Sequence, residues 1–168
     1  KVLEAGSDVG GTWYWNRYPG CRFDSESYSY GYSFSKELLE EWDWTEHFSP
    51  QPETLKYLQY VAKKFDLKKD IQFNSTVKCA DYNNSKGRWI ILTEDEETLE
   101  CTFLITAIGA LSAPYVPNFK GKESFEGDSW HTSLWPKEPV DLSKRKVGVI
   151  GTGATAVQMI TEISKNVG

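Results

Sequence analysis

Residues 146–160 read KVGVIGTGATAVQMI, and this run decides the fold class. Val147, Val149 and Ile150 predict a short buried strand over 146–150, and a helix follows over 151–167. Between them lies Gly151-Thr152-Gly153-Ala154-Thr155-Ala156, a GxGxxA turn. The first glycine of such a turn makes the tight bend, and the second lets main-chain N–H groups approach a pyrophosphate. The small third residue lets helix and strand pack closely. The helix N-terminus then stabilises the phosphate charge. A lone glycine pattern is weak, but here it sits in the strand–turn–helix order that dinucleotide binding demands. The competing reading is a glycine turn of structural purpose alone. The acid or base that selects NAD or NADP stands about 20 residues further on, at or past Gly168, so the sequence itself does not choose the nicotinamide.

Outward from this turn, the chain has 168 residues, 39% of them hydrophobic and 26% charged, which suits a globular protein of one domain or two partial ones. The net charge of −5 argues against a nucleic-acid partner, which would want a basic face. No apolar run reaches the ~18 residues of a membrane span. The opening KVLEAGSDVGG lacks the charged start and apolar core of a secretory leader. Cys21, Cys79 and Cys101 are too scattered for a disulfide framework or a metal site, so reduced thiols in a cytoplasmic protein are expected. Both termini cut through expected elements, so the expectation is an internal piece of a longer protein.

Residues 1–5 read as the end of a buried strand running into the glycine-rich GSDVGGTW. Residues 12–35 show neither helical nor strand period and suggest an ordered loop lining a site. Aromatic residues make up 14% of the chain and crowd into residues 13–48, more than core packing alone would need, which points to planar ligands. A short helix is predicted over 35–42 with Ser35 as its cap. A longer one starts at Pro50 and Pro52 and carries Leu55, Leu58, Val61, Ala62 and Phe65 at helical spacing through Leu67. Strands are predicted over 71–74, 76–82, 88–93 and 99–108, the middle ones joined by turns at 83–87 and 94–97 as an antiparallel meander. Residues 112–139 read as a long functional connection. Glu4, after Val2 and Leu3, suits the acid that ends a second strand and bonds a ribose, or a plain surface carboxylate.

Three stretches then resemble one family. GGTWYWNRYPG over 10–20 and CRFDSESYSY over 21–30 resemble the FAD-contacting stretch of Baeyer–Villiger monooxygenases. FEGDSWHTSLWP over 125–136 is similar at every fixed position to that family's fingerprint, FxGxxxHTxxWP, carried here by Phe125, Gly127, His131, Thr132, Trp135 and Pro136. Related N-hydroxylating and heteroatom-oxidising flavoproteins carry a looser form without the Trp-Pro ending.

The resemblance implies an α/β fold made of parts of two Rossmann-like dinucleotide-binding domains, with a small antiparallel meander and an inter-domain linker. Residues 1–111 would belong to the FAD domain, 112–143 to the linker and 144–168 to the start of the NADP domain. It implies that Glu4 holds the FAD ribose and that Gly11, Thr12, Trp13, Tyr14, Trp15, Asp24 and Tyr30 lie at the flavin. Val77 would present its main chain to the adenine. Arg22, Phe23 and Asp24 would approach the nicotinamide, and Gly151 to Ala156 would cradle the NADP pyrophosphate. Asp24 would set the site's electrostatics by pairing with an arginine beyond Gly168; neither Arg17 nor Arg22 takes that role.

The implied activity uses NADPH, FAD and O2, through a C4a-peroxyflavin, to insert one oxygen beside a ketone carbonyl, giving an ester or lactone. The alternatives are N- or sulfur-oxidation, or a truncated remnant without catalysis. His131 could be a base, an inter-domain hinge residue or a packed imidazole, whereas His47 reads as surface. Cys21, Phe23 and Ile108 depart from the family pattern, so the turn at 107–109 is given no firm contact.

Overall fold

The computed structural model describes all 168 residues. In chain order its elements are β1 (Val2–Leu3), α1 (Thr12–Trp15), α2 (Ser27–Tyr30), α3 (Lys36–Glu41), α4 (Gln51–Lys64), β2 (Ile71–Gln72), β3 (Val77–Asn83), β4 (Arg88–Thr93), β5 (Thr98–Cys101) and α5 (Ala154–Ile163). The fold class is α/β: β1 and β2 pair in parallel, and β3–β4–β5 form an antiparallel sheet.

Local chemistry accounts for the elements that match expectation. Ser35 caps α3 by accepting a hydrogen bond from the Leu38 N–H at 3.2 Å. The helix α4 begins with Pro50 as its cap, carries Glu53 in its first turn, and ends on Lys63 and Lys64, an order that complements the helix dipole. The meander runs in register from Tyr82 opposite Trp89 to Trp89 opposite Cys101, with one irregularity between Val77 and Cys79.

The buried face of α4 is turned from the expected one. Thr54, Tyr57, Val61 and Ala62 are buried, Leu55 and Leu58 are half-buried, and Phe65 is exposed. The reason is the partner. The Tyr57 ring lies 5.2 Å from Trp42 and 4.9 Å from Trp44, and its hydroxyl accepts from the Tyr32 N–H at 2.7 Å. The helix also stops earlier than predicted, because Asp66 takes a left-handed φ of 51° before a 3-10 turn at Leu67–Asp70.

The expected strands at the outer edges are reduced. The pair β1–β2 is two residues long, and Val2 is exposed rather than buried. The strand expected over 99–108 ends at Cys101, and Phe103 and Ile105 stand 85% and 86% exposed. Residues 146–150 form no ladder, and Ile150 is 81% exposed. A strand is held by hydrogen bonds to its neighbours, and no strand of this chain lies beside these segments. The last helix is correspondingly shorter than the predicted 151–167. The loop expected over 12–35 holds the one-turn helices α1 and α2, too short for a periodicity to show. Residues 112–139 carry only 3-10 turns, at Lys122–Ser124 and Thr132–Leu134.

The main core joins segments far apart in sequence. Trp13, Tyr18, Cys21 and Phe23 pack with Trp135, Leu142, Met159 and Ile163. Loop, linker and α5 are therefore one packed unit. A smaller core of Leu38, Tyr57 and Val61 sits under Trp42 and Trp44.

Candidate dinucleotide-binding site

The turn before α5 is open. Gly151 has φ of +121°, a conformation that side chains rarely adopt, and Gly153 caps the helix with no side chain bonded to its free amides. A Cβ on either glycine would meet nothing within 4 Å. Residues 151–154 are exposed, whereas Ala156 is buried against the core. Unpartnered amides at a helix start, facing space kept clear by glycines, make a cradle for a phosphate. Thr152 and Ala154 stand exposed on its rim, and the Thr155 hydroxyl lies 3.5 Å from that of Tyr18.

The second glycine-bearing segment is built on β1. The carboxylate of Glu4 accepts from the Gly6 N–H at 2.6 Å, and its carbonyl accepts from the Ser75 N–H at 2.9 Å, so the strand end is fixed to the β2–β3 connection. Gly10 has φ of +138°, and a Cβ there would fall 2.5 Å from Leu55, so α4 approaches the loop through it. Gly11, with φ of +50°, faces open space. Thr12 and Trp15 are exposed, and Tyr14 is half-buried with its hydroxyl 2.8 Å from that of Ser7.

Trp13 and Phe23 do not present their rings to solvent. Trp13 is 7% and Phe23 5% exposed. The Trp13 indole N–H donates to the Tyr30 hydroxyl at 2.6 Å, and Phe23 stacks on Tyr30 with ring centres 4.3 Å apart. The crowding of aromatic residues over 13–48 therefore serves packing to a larger extent than the composition suggested; Trp44 meets Phe23 edge to face, with ring centres 5.9 Å apart. The Arg22 guanidinium pairs with Glu46, at 3.0 Å, and donates to the Phe48 carbonyl, at 3.3 Å. Asp24 is exposed and has neither an ion-pair nor a hydrogen-bond partner in the chain. Val77 stands in the antiparallel sheet, its main chain opposite Thr93, outside the loop cluster.

Within the fingerprint, Trp135 is the anchor, buried in the main core with Trp130 5.5 Å away. The Gly127 backbone lies under the Phe125 ring, where a Cβ would come within 2.8 Å of ring atoms. His131 caps the turn Thr132–Leu134, its Nδ1 accepting from the Ser133 N–H at 3.3 Å. Thr132 and Pro136 are half-buried beside it.

Three residues that the sequence did not single out connect the loop to α5. The Tyr18 hydroxyl donates to Gln158 Oε1 at 2.9 Å, and Gln158 Nε2 donates to the Arg22 carbonyl at 3.0 Å. Gly20, with φ of +79°, brings the loop backbone so near that a Cβ would lie 2.4 Å from the Gln158 carbonyl oxygen. A polar residue beside the apolar Ala156–Met159–Ile163 stripe was the available signal. Burial pushes the Tyr18 hydroxyl up to about 12 and the Cys21 thiol up to about 11, so both stay neutral at physiological pH. No helix is long and apolar enough to cross a membrane, and no cluster of three His, Cys, Asp or Glu side chains is placed to hold a metal.

Comparison with known proteins agrees with this geometry. A 2-oxo-Δ3-4,5,5-trimethylcyclopentenylacetyl-CoA monooxygenase of Pseudomonas putida is 50% identical over 95% of this chain, and the chain spans 31% of that protein. A phenazine N-monooxygenase of Lysobacter antibioticus is 42% identical over 98% of the chain, which covers 30% of it. The solved structure of an oxidised steroid monooxygenase bound to NADP superposes with a TM-score of 0.92 at 46% identity, over 99% of this chain and 32% of that one. The chain thus spans about a third of the length of the relatives it matches. The profile of the flavin-binding monooxygenase-like family matches residues 2–168, and the chain belongs to that family.

Proposed function

We propose that this chain is the junction between the FAD and NADP domains of a cytoplasmic Baeyer–Villiger-type monooxygenase, with residues 1–111 on the FAD side, 112–143 linking and 144–168 opening the NADP domain. The observation that carries the reading is the packing of Trp135, from a complete FxGxxxHTxxWP fingerprint, into the same core as the Trp13–Phe23 loop and α5. The residues fit both nucleotides. The Gly151–Gly153 turn is clear of side chains, and Glu4 has a carboxylate oxygen without a protein partner at a strand end.

When bound, FAD reduced by NADPH supplies the activation of O2 by which one oxygen is placed beside a ketone carbonyl, giving an ester or lactone. The chain's own residues bind and orient. Glu4 holds ribose hydroxyls, and Gly11 to Trp15 with Tyr30 border the flavin. For Trp13, whose ring is buried, that contact falls to the main chain. Val77 offers its main chain to the adenine. Gly151, Thr152, Gly153, Ala154, Thr155 and Ala156 take the NADP pyrophosphate. Asp24, exposed and unpaired here, supplies a negative charge for an arginine from outside residues 1–168. Arg22 and Phe23 contribute through the backbone that carries Asp24, since one side chain faces Glu46 and the other is buried. Phe125, Gly127, His131, Thr132, Trp135 and Pro136 couple the two domains.

The test is made on the full-length protein. A flavin absorbance spectrum, NADPH-dependent turnover on a panel of linear and cyclic ketones, and ester or lactone products by mass are expected. A second reading, oxidation at nitrogen, is favoured by the similarity to the phenazine N-monooxygenase; N-oxides as sole products would select it. A protein that binds neither cofactor would overturn both.

A further inference from the structure

The seam between the loop and α5 carries, beside the Tyr18–Thr155 hydroxyl pair at 3.5 Å, a polar device within a largely apolar contact. The Gln158 amide pairs with the main chain of Arg22 from both sides: Nε2 donates to the Arg22 carbonyl at 3.0 Å, and Oε1 faces the Arg22 N–H at 3.4 Å. This is the pairing that one strand residue makes with another, supplied by a side chain. The same Oε1 accepts from the Tyr18 hydroxyl at 2.9 Å. On its other edge the segment is held to the start of α4: Arg22 bridges Pro50, and the Gln51 N–H donates to the Cys21 carbonyl at 2.8 Å. Arg22 is thus fixed between two helices, and Asp24 projects two residues further on.

The position of this pair matters. Gln158 lies five residues after Gly153, about 7.5 Å along the helix axis. Asp24 lies two extended residues from Arg22, about 7 Å at most. One side chain therefore connects the glycine turn to the exposed carboxylate. Apolar neighbours such as Met159 and Ile163 supply cohesion, but non-directional contacts do not fix the register of a loop along a helix. Gly20 shows that the close approach is built in, because its positive φ and lack of a side chain admit the Gln158 backbone.

We infer that Gln158 is a positioning residue, which fixes the Tyr18–Asp24 loop to the dinucleotide helix so that NADPH and Asp24 hold one relative placement. The inference rests on the proposed NADP reading of the glycine turn.

The experiment compares the full-length holoenzyme with Gln158→Met, which keeps the side-chain length and removes both amide functions. Tyr18→Phe is the milder second variant, since it removes one of the Gln158 bonds and leaves the main-chain pair. Hydrogen exchange without NADPH is read over 18–24 and, as a control, over the β3–β5 sheet. Steady-state NADPH kinetics follow. Gln158→Met should exchange at least tenfold faster over 18–24 with the sheet unchanged, raise KM for NADPH about fivefold to tenfold, lower kcat for oxygenated product about fivefold, and leave flavin content unchanged. Tyr18→Phe should move the same readouts in the same direction by less. Unchanged exchange over 18–24 in Gln158→Met would overturn the inference. So would faster exchange over 18–24 with KM and kcat both unchanged, or faster exchange everywhere, either of which would mark a residue that serves stability alone. A wild-type enzyme indifferent to NADPH would instead refute the cofactor reading and the NADPH part of the inference, and the exchange data would still decide the loop contact.

Discussion

Replacing Gly20 with alanine should detach α5 from the loop, and the cost can be worked from two features. A φ of +79° costs a residue with a Cβ about 1–2 kcal/mol. The added methyl would also stand 2.4 Å from a main-chain carbonyl that cannot rotate away. Restoring ordinary contact needs about 1 Å of separation between loop and helix. That would stretch the Tyr18–Gln158 and Gln158–Arg22 bonds, now 2.9 and 3.0 Å, beyond bonding range. Each is worth about 1 kcal/mol net. The total is about 3–4 kcal/mol, set against a domain stability of roughly 5–15 kcal/mol. Urea unfolding of the full-length protein, with hydrogen exchange over 154–163, measures it. Gly20→Ala within about 0.5 kcal/mol of wild type, with α5 still protected, would refute the close approach.

Gly153→Ala is the counterpart, since its Cβ meets nothing in the chain. Stability should shift by no more than about 1 kcal/mol, while NADPH affinity measured by fluorescence titration falls at least tenfold. Asp24→Ala should leave unfolding within about 0.5 kcal/mol of wild type, because the carboxylate is exposed and unpaired, yet abolish product formation in the ketone assay. Stability should decline at alkaline pH. Cys21 and Tyr18 are held neutral by burial, with pKa raised from 9.0 to about 11 and from 10.0 to about 12. Their contribution is complete below pH 9 and is lost as pH rises through those folded values, which melting temperatures from pH 8 to 11.5 will show.

Residues whose structure is set by near neighbours were legible in the sequence. The Ser35 cap, the prolines that start α4 and the turns of the meander are decided within a few positions. Longer-range outcomes were not. The run 146–150 has the composition of a buried strand, but a strand needs neighbours to bond, and this chain places none beside it. Periodicity located α4, while its inward face was chosen by Trp42 and Trp44, which no helical wheel contains. The aromatic excess over 13–48 was visible, but composition does not separate a ring that packs on protein, such as Phe23, from one free to meet a ligand, such as Trp15. Gln158 was missed because its partner lies 136 residues earlier in the chain.

The most direct test of the account is isotopic. The full-length protein is given NADPH, a ketone and ¹⁸O₂, and the product is weighed. One ¹⁸O in the ester or lactone, with no label when NADPH is withheld, is the predicted result. Unlabelled ketone recovered beside consumed NADPH, or label found only on a nitrogen or sulfur substrate, would contradict Baeyer–Villiger insertion.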